Sequence, residues 1–208
     1  ENRRMMAMDF SKKVVFITGA ASGIGAAQAQ AFLTTGAYVF AFDQQKQEML
    51  TLQMNYPEQF AFFIGDVREK IALKKAIRKC HEHFGTVNIL LNTVGVLDDY
   101  LPLHDTDEEL WSNILTTNLN SMFTLTKLLL PELLENQGTV INMASIAGLV
   151  AGGGGIAYTT SKHAIVGFTK QLALDYAARG LHVNAIAPGA INTPMNQADF
   201  AGDGQMAK

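Results

Sequence analysis

The run VVFITGAASGIG, residues 14–25, decides the fold: five residues from Val14 to Thr18 form an apolar strand candidate, and a glycine-rich turn leads from them into a helical stretch. Working outward, similar apolar runs recur at AYVFAF (37–42), FAFFI (60–64), VNILL (87–91), TVINMA (139–144) and LHVNAIA (181–187). Runs this apolar suit strands covered on both faces. The stretches between them, Gly25 to Thr35, Gln44 to Asn55, Glu69 to Phe84, Asp107 to Leu134 and Ile156 to Arg179, are each long enough for one or more helices. The alternation predicts an α/β fold: a three-layer, doubly wound parallel sheet. Gly36 is expected to close the first helix and Gly180 the fifth, while Thr106 with Glu109 has capping-box spacing at the start of the fourth helical stretch.

Composition narrows the function classes. With 16 basic and 19 acidic side chains among 208 residues the net charge is −3, which argues against an electrostatic nucleic-acid binder. Hydrophobic residues at 48% and charged residues at 17% describe a globular chain with one sizeable core. Cys80 is the only cysteine, so there is no internal disulfide and no cysteine-built metal site, and a reducing, cytoplasmic setting is expected. No run reaches the roughly 18 apolar residues a membrane span needs, and the charged, Met-rich start lacks the apolar stretch of a signal peptide. Residues 1–10 read as a disordered leader or cloning remnant, and 11–208 as one domain. The glycines 152–155 read as a mobile loop between a strand and a helix, not as a domain boundary.

In the turn Thr18-Gly19-Ala20-Ala21-Ser22-Gly23-Ile24-Gly25, glycines permit tight turning and close backbone approach, so that a pyrophosphate can sit on the free amides of the helix start. A purely structural turn is the alternative. Asp43 ends the second strand 18 residues beyond Gly25, where a dinucleotide fold places the acid for the adenosine ribose hydroxyls. A carboxylate there repels a 2′-phosphate, and the neighbours Gln44 and Gln45 do not reverse this, so NAD is expected in preference to NADP. The other reading of Asp43 is an N-cap for the following helix. Asp66 with Val67 after the third strand, and Asn92 with Gly95 after the fourth, fall at the carboxyl edge where such folds bind ligands.

Tyr158 and Lys162 form a Y-x-x-x-K pair on one helical face. Bringing a phenol from a pKa of about 10 to about 7 takes roughly 4 kcal/mol, and an ammonium about 4 Å away at an effective dielectric near 20 supplies on the order of that amount. Ser145, 13 residues before Tyr158, can donate to a substrate oxygen beside the phenol. Its surroundings M-A-S-I-A are not the G-x-S-x-G elbow of a serine hydrolase. His163 points away around the helix and reads as structural.

These residues together resemble the short-chain dehydrogenase/reductase family, the subgroup with a TGxxxGxG turn and a YxxxK pair, from about Lys13 to Met195. The resemblance implies a Rossmann-type fold, with Gly19, Ser22, Gly23, Ile24 and Gly25 at the cofactor phosphates and Asp66 and Val67 at the adenine. It places Asn92 and Gly95 beside the cofactor, and Pro188, Gly189, Ile191 and Thr193 beside the nicotinamide. It implies a catalytic set of Asn118, Ser145, Tyr158 and Lys162. Tyr158 would exchange a proton with the substrate, Lys162 would hold the ribose and depress the Tyr158 pKa, Ser145 would orient the carbonyl, and Asn118 would hold a water through its backbone carbonyl. Read without the family, Asn118 is a polar residue able to kink a helical stretch.

The activity implied is NAD(H)-dependent interconversion of a secondary alcohol and a ketone in a homotetramer, with stretches 107–134 and 156–179 at one interface. Ile146, Gly152 to Ile156 and a lid after Thr193 would line the substrate pocket. A 3-oxoacyl-[acyl-carrier-protein] reductase is the alternative within the family, which Asp43 disfavours because those enzymes commonly prefer NADPH. A non-catalytic dinucleotide sensor or scaffold, and a purely structural interaction protein, are alternatives of other classes. Two departures stand out: the family's Asn-Asn-Ala-Gly reads Asn92-Thr93-Val94-Gly95, and the last strand and helix of relatives are expected beyond Lys208.

Overall fold

The computed structural model describes residues 9–197. Six parallel strands form one sheet in the order β3-β2-β1-β4-β5-β6. They are β1 Val14–Thr18, β2 Tyr38–Asp43, β3 Phe60–Ile64, β4 Ile89–Asn92, β5 Thr139–Met143 and β6 His182–Ile186. The helices between them are α1 Gly23–Thr34, α2 Gln47–Asn55, α3 Lys70–Phe84, α4 Glu108–Leu115, α5 Ser121–Glu135 and α6 Ile156–Tyr176.

The pleat explains why β1 is buried at every position and apolar at all but Thr18. Val14 and Phe16 face a core shared with Leu73 and Cys80 of α3, Leu125 and Leu129 of α5 and Leu172 of α6. Val15 and Ile17 face the opposite core with Ala29 and Leu33 of α1 and Met49 of α2. Both faces are covered, so no polar alternation survives. The Cys80 thiol is fully buried in the first of these cores, and burial pushes its pKa up.

Strand order reverses between β1 and β4, opening a crevice at their carboxyl ends. Gly36 at φ +87° follows α1 and Gly180 at φ +82° follows the short turn after α6, as their positions in the sequence suggest. At α4 the expected capping residue is displaced by one. Asp107 accepts from the Leu110 amide at 2.7 Å, while the Thr106 hydroxyl donates to the Pro102 carbonyl. A carboxylate is the better acceptor beside a helix start.

The stretch 107–134 is one continuous helical path broken by a π turn, Thr116–Asn120, with Asn118 at its centre. At the other end of the chain, Phe10 belongs to the folded body and not to a leader. Its ring packs on Phe32 at 5.0 Å and its amide donates to the Thr35 carbonyl. Asp9 accepts from the Ser11 amide at 2.8 Å, and residues 1–8 of the expected leader lie outside the described residues. Among the described residues, no helix is long and apolar enough to cross a membrane.

Candidate active site

A cleft of about 390 Å³ opens over the carboxyl ends of the strands. Its floor is the glycine turn: Gly19, Ser22, Gly23, Ile24 and Gly25 all line it. A side chain at Gly25 would overlap the Gly19 carbonyl, and Gly19 and Gly23 have φ of +74° and +53°. These glycines therefore serve the tight turn itself as well as access. Ser22 makes no side-chain cap and the first turn of α1 holds no acidic residue, so the helix presents uncapped amides and an unopposed positive end to the cleft. That donor set fits a pyrophosphate.

Asp43 lines the same cleft. One carboxylate oxygen accepts from the Ala21 amide and the other from the Gln45 amide, both at 3.0 Å. It does not cap α2, whose N-cap is Lys46. Val67, Gly95, Pro188, Gly189, Ile191 and Thr193 also line the cleft. A Cβ on Gly23 would come within 3.2 Å of Thr193, so the segment after β6 closes over the start of α1. The expected lid beyond Gln197 lies outside the described residues.

Two residues expected at the cofactor have partners within the protein. The Asp66 carboxylate is not part of the cleft lining: Arg68 folds onto it through several hydrogen bonds and holds its pKa below the usual carboxylate range. Asn92 points into the interior, where its amide donates to Thr126 Oγ1 at 3.1 Å and Asn142 Oδ1 at 2.8 Å. The Asn-Thr substitution in this turn is accommodated locally. The Thr93 hydroxyl donates to Gln28 Oε1 at 2.7 Å, tying the strand end to α1.

Ser145, Tyr158 and Lys162 meet at the far end of the cleft. Tyr158 is hydrogen-bonded to Ser145, whose Oγ also accepts from the Ala147 amide at 3.1 Å. Lys162 lies 5.4 Å from the centre of the Tyr158 ring, and its ammonium donates to the Met143 carbonyl at 2.7 Å. Burial brings the Lys162 pKa down to about 8. The expected depression of the Tyr158 pKa is not what this arrangement produces. Burial pushes the phenol up, the Ser145 hydrogen bond pulls it down, and the Asp98 charge adds to the rise. Lys162 is directed at a carbonyl and itself desolvated, so it does not offset the burial of the phenol.

Asn118 lies behind the cleft and acts through its side chain. Its Oδ1 accepts from the Val96 amide at 2.8 Å, and its Nδ2 donates to the Val96 carbonyl at 3.0 Å and to Ser161 Oγ at 3.1 Å. The π turn that carries it brings the loop after β4 against α6. A Cβ at Gly95 would stand 3.4 Å from the Lys162 ammonium, an ordinary contact distance, so the glycine is not required by packing against Lys162.

Nor are the glycines 152–155 simply a loose connection. A side chain at Gly154 would overlap the Tyr158 ring, and one at Gly155 would stand 2.7 Å from both Asp98 oxygens. Sequence reasoning missed Asp98, which is fully buried, and Tyr100, which lines the cleft. Neither belongs to a periodic pattern, and the only local sign was an acidic pair just beyond the Gly95 turn.

Residues 13–204 match the short chain dehydrogenase family. The chain is 36% identical over 182 residues to 3beta-hydroxysteroid dehydrogenase 2 of Eggerthella lenta, covering 85% of this chain and 70% of that protein. It is 32% identical over 194 residues to the 3-oxoacyl-[acyl-carrier-protein] reductase of Thermotoga maritima, covering 91% and 78%. Among solved structures, the 3-ketoacyl-(acyl-carrier-protein) reductase of Brucella melitensis complexed with NADH superposes with a TM-score of 0.87 at 26% identity, covering 91% of this chain and 80% of that one.

Proposed function

From the premise that the chain belongs to the short-chain dehydrogenase/reductase family and is an oxidoreductase acting on CH–OH groups, we propose that it interconverts an uncharged secondary alcohol and its ketone with NAD(H). The observation that carries this reading is the meeting of Ser145, Tyr158 and Lys162 at one end of a cleft whose other end holds Asp43. When bound, the nicotinamide dinucleotide supplies or accepts the hydride, for which the protein side chains have no equivalent.

The chain's residues do the rest. The α1 amides hold the phosphates, Asp43 accepts from the ribose hydroxyls, and the Val67 backbone meets the adenine. Pro188, Gly189, Ile191 and Thr193 flank the nicotinamide. Ser145 donates to the substrate oxygen and aligns it with the Tyr158 hydroxyl, which exchanges the proton. With its pKa pushed up by burial the phenol is protonated at neutral pH, the form from which Tyr158 hands a proton to a ketone oxygen. Lys162 holds a positive charge near the phenol, and Asn118 fixes the loop over which both stand.

The substrate end is walled by Val96, Leu97, Ile146 and Met195. Lys162 is the only cation among the described lining residues and already donates to Met143, so an anionic substrate group finds no partner in that wall. This favours an uncharged, largely apolar alcohol. A second reading, 3-oxoacyl-[acyl-carrier-protein] reductase, is supported by the 32% identity to the Thermotoga enzyme. Asp43 does not separate the two readings, since a reductase of that class from Brucella was crystallised with NADH. We further read the active form as a homotetramer in the cytoplasm. The half-exposed Phe123 ring on α5, packed edge-on to Phe168 of α6 at 6.4 Å, supports an interface there.

The test is titration of the protein with NADH and NADPH, then a panel of cyclic and linear ketones and diols with whichever binds. Tighter NADH binding with turnover of an uncharged ketone is expected. Tyr158→Phe should keep NADH affinity and lose about 100-fold or more in kcat. Turnover that survives this substitution removes Tyr158 from the mechanism, and failure to bind either dinucleotide removes the reading altogether.

A further inference from the structure

Asp98 stands outside every role assigned so far, yet it is fully buried and in contact with the reacting element. One carboxylate oxygen accepts from the Gly155 amide and the other from the Tyr158 amide, each at 2.8 Å. These are the N-cap and an early residue of α6, and that helix has no side-chain cap of its own. A residue 60 positions away in sequence supplies the cap. Gly155 is required by the same loop, because a Cβ there would stand 2.6 Å from the Leu101 amide nitrogen and 2.7 Å from both Asp98 oxygens.

The loop that carries Asp98 is itself held in an uncommon shape. Asp99 and Tyr100 have φ of +52° and +59°, two successive non-glycine residues in the left-handed region. The Leu101 amide donates to the Asp98 carbonyl at 3.1 Å, and the Ile156 amide to the Leu101 carbonyl at 3.2 Å. The loop is therefore fastened to the first turn of α6 by main chain and side chain together, and it turns Tyr100 into the cleft wall.

We propose that Asp98 is a positioning residue for Tyr158: by accepting the Gly155 and Tyr158 amides it locks the first turn of α6 to the cleft-wall loop and so fixes where the phenol meets the substrate. The proposal rests on the reading of Tyr158 as the proton-transfer group. The third amide of a helix is an ordinary target for a cap, and here that amide belongs to Tyr158 itself, so the cap also holds the residue that carries the phenol. Its charge also acts on the phenol from behind the helix start, alongside the Ser145 hydroxyl and the Lys162 ammonium, while Tyr100 shares the same cleft.

The test uses the full chain with Asp98→Asn, which keeps the size but turns an amino group toward one of the two amides. Steady-state kinetics use NADH and the best ketone of the panel above. The expected result is a fall in kcat of about 10- to 100-fold with NADH affinity unchanged. In ring-labelled tyrosine NMR, with Tyr158→Phe identifying the resonance, Tyr158 should titrate at lower pH once the negative charge is gone. This readout needs no substrate, so it separates failure of the proposal from failure of the Tyr158 assignment, which Tyr158→Phe kinetics decide. Lower thermal stability with wild-type kcat and wild-type Tyr158 titration would reduce Asp98 to a structural cap and overturn the proposal. Gly155→Ala decides the matter if Asp98→Asn does not fold. It pushes the carboxylate and the Leu101 main chain off the helix start without removing the charge, so kcat should fall while NADH affinity holds, and an unchanged kcat overturns the proposal.

Discussion

The Asp43 carboxylate at the end of β2 accepts the amide of Ala21, 3.0 Å away inside the glycine turn that opens α1. Two neighbouring strand ends are thereby braced by the same group that would receive the ribose hydroxyls. Asp43→Ala should lower NADH affinity about tenfold or more, the worth of one or two hydrogen bonds to a charged acceptor. NADPH affinity should hold or improve as repulsion of the 2′-phosphate disappears. Parallel titrations check this; equal loss for both dinucleotides would mean that Asp43 acts only as the brace.

Burial of Lys162 predicts a stability cost that depends on pH. Its pKa falls from 10.5 to about 8 on folding, which corresponds to roughly 3 kcal/mol. Below pH 8 both states are protonated and the folded chain bears the full cost. Between pH 8 and about 10 the unfolded chain binds more protons, so the cost shrinks as pH rises. Lys162→Met should therefore melt several degrees above the parent at pH 7, with the gap closing toward pH 10, while turnover is lost. A variant that melts lower at both pH values would show that the hydrogen bond to Met143 outweighs the desolvation.

Asn118→Ala should be costly for a different reason. It strands the half-buried amide and carbonyl of Val96 and removes a partner of Ser161. Each unpaired group costs about 1–3 kcal/mol, so urea unfolding should report a loss of roughly 3 kcal/mol. Because the loop it holds carries the cleft wall, kcat should fall more than NADH affinity.

The glycines of the cleft divide into two kinds. Alanine at Gly25 would drive a methyl into the Gly19 carbonyl, with no flexible side chain to yield. Gly25→Ala should therefore unfold the turn and abolish dinucleotide binding. Alanine at Gly95 meets Lys162 and Asn118 at 3.4 and 3.6 Å, ordinary contact distances. Gly95→Ala should keep the parent melting temperature and weaken NADH binding alone. Thermal melts paired with cofactor titration separate the two cases.

Much of the fold was legible because β1, β2 and β4 are buried on both faces and the strands flanking them keep apolar runs. FAFFI at 60–64 coincides with β3 and VVFIT at 14–18 with β1, since no polar position interrupts either run. The glycine turn and the Tyr158–Lys162 pair were legible because their chemistry is local in sequence. What escaped depends on contacts between distant segments. The π turn exists where Asn118 reaches Val96 and Ser161, and nothing within residues 107–134 announces that reach. Asp98 caps a helix 57 to 60 residues downstream, beyond any capping rule based on neighbours. The displacement at α4 is subtler: Thr106 and Asp107 both suit a cap, and only the helix phase selects Asp107. For the Tyr158 pKa, a charge at the right spacing was evident, but its commitment to the Met143 carbonyl was not.

Cys80, sealed between α3 and the sheet with its thiol pKa pushed up, is chemically silent toward alkylating reagents while the protein stays folded. It is also the only cysteine of the chain. A single engineered surface thiol would thus be the sole reactive handle on the native protein, with no background to delete first. Gln44→Cys, at an exposed position beside Asp43, would put a fluorophore at the rim of the cleft, where its emission could report occupancy in real time without any knowledge of the substrate.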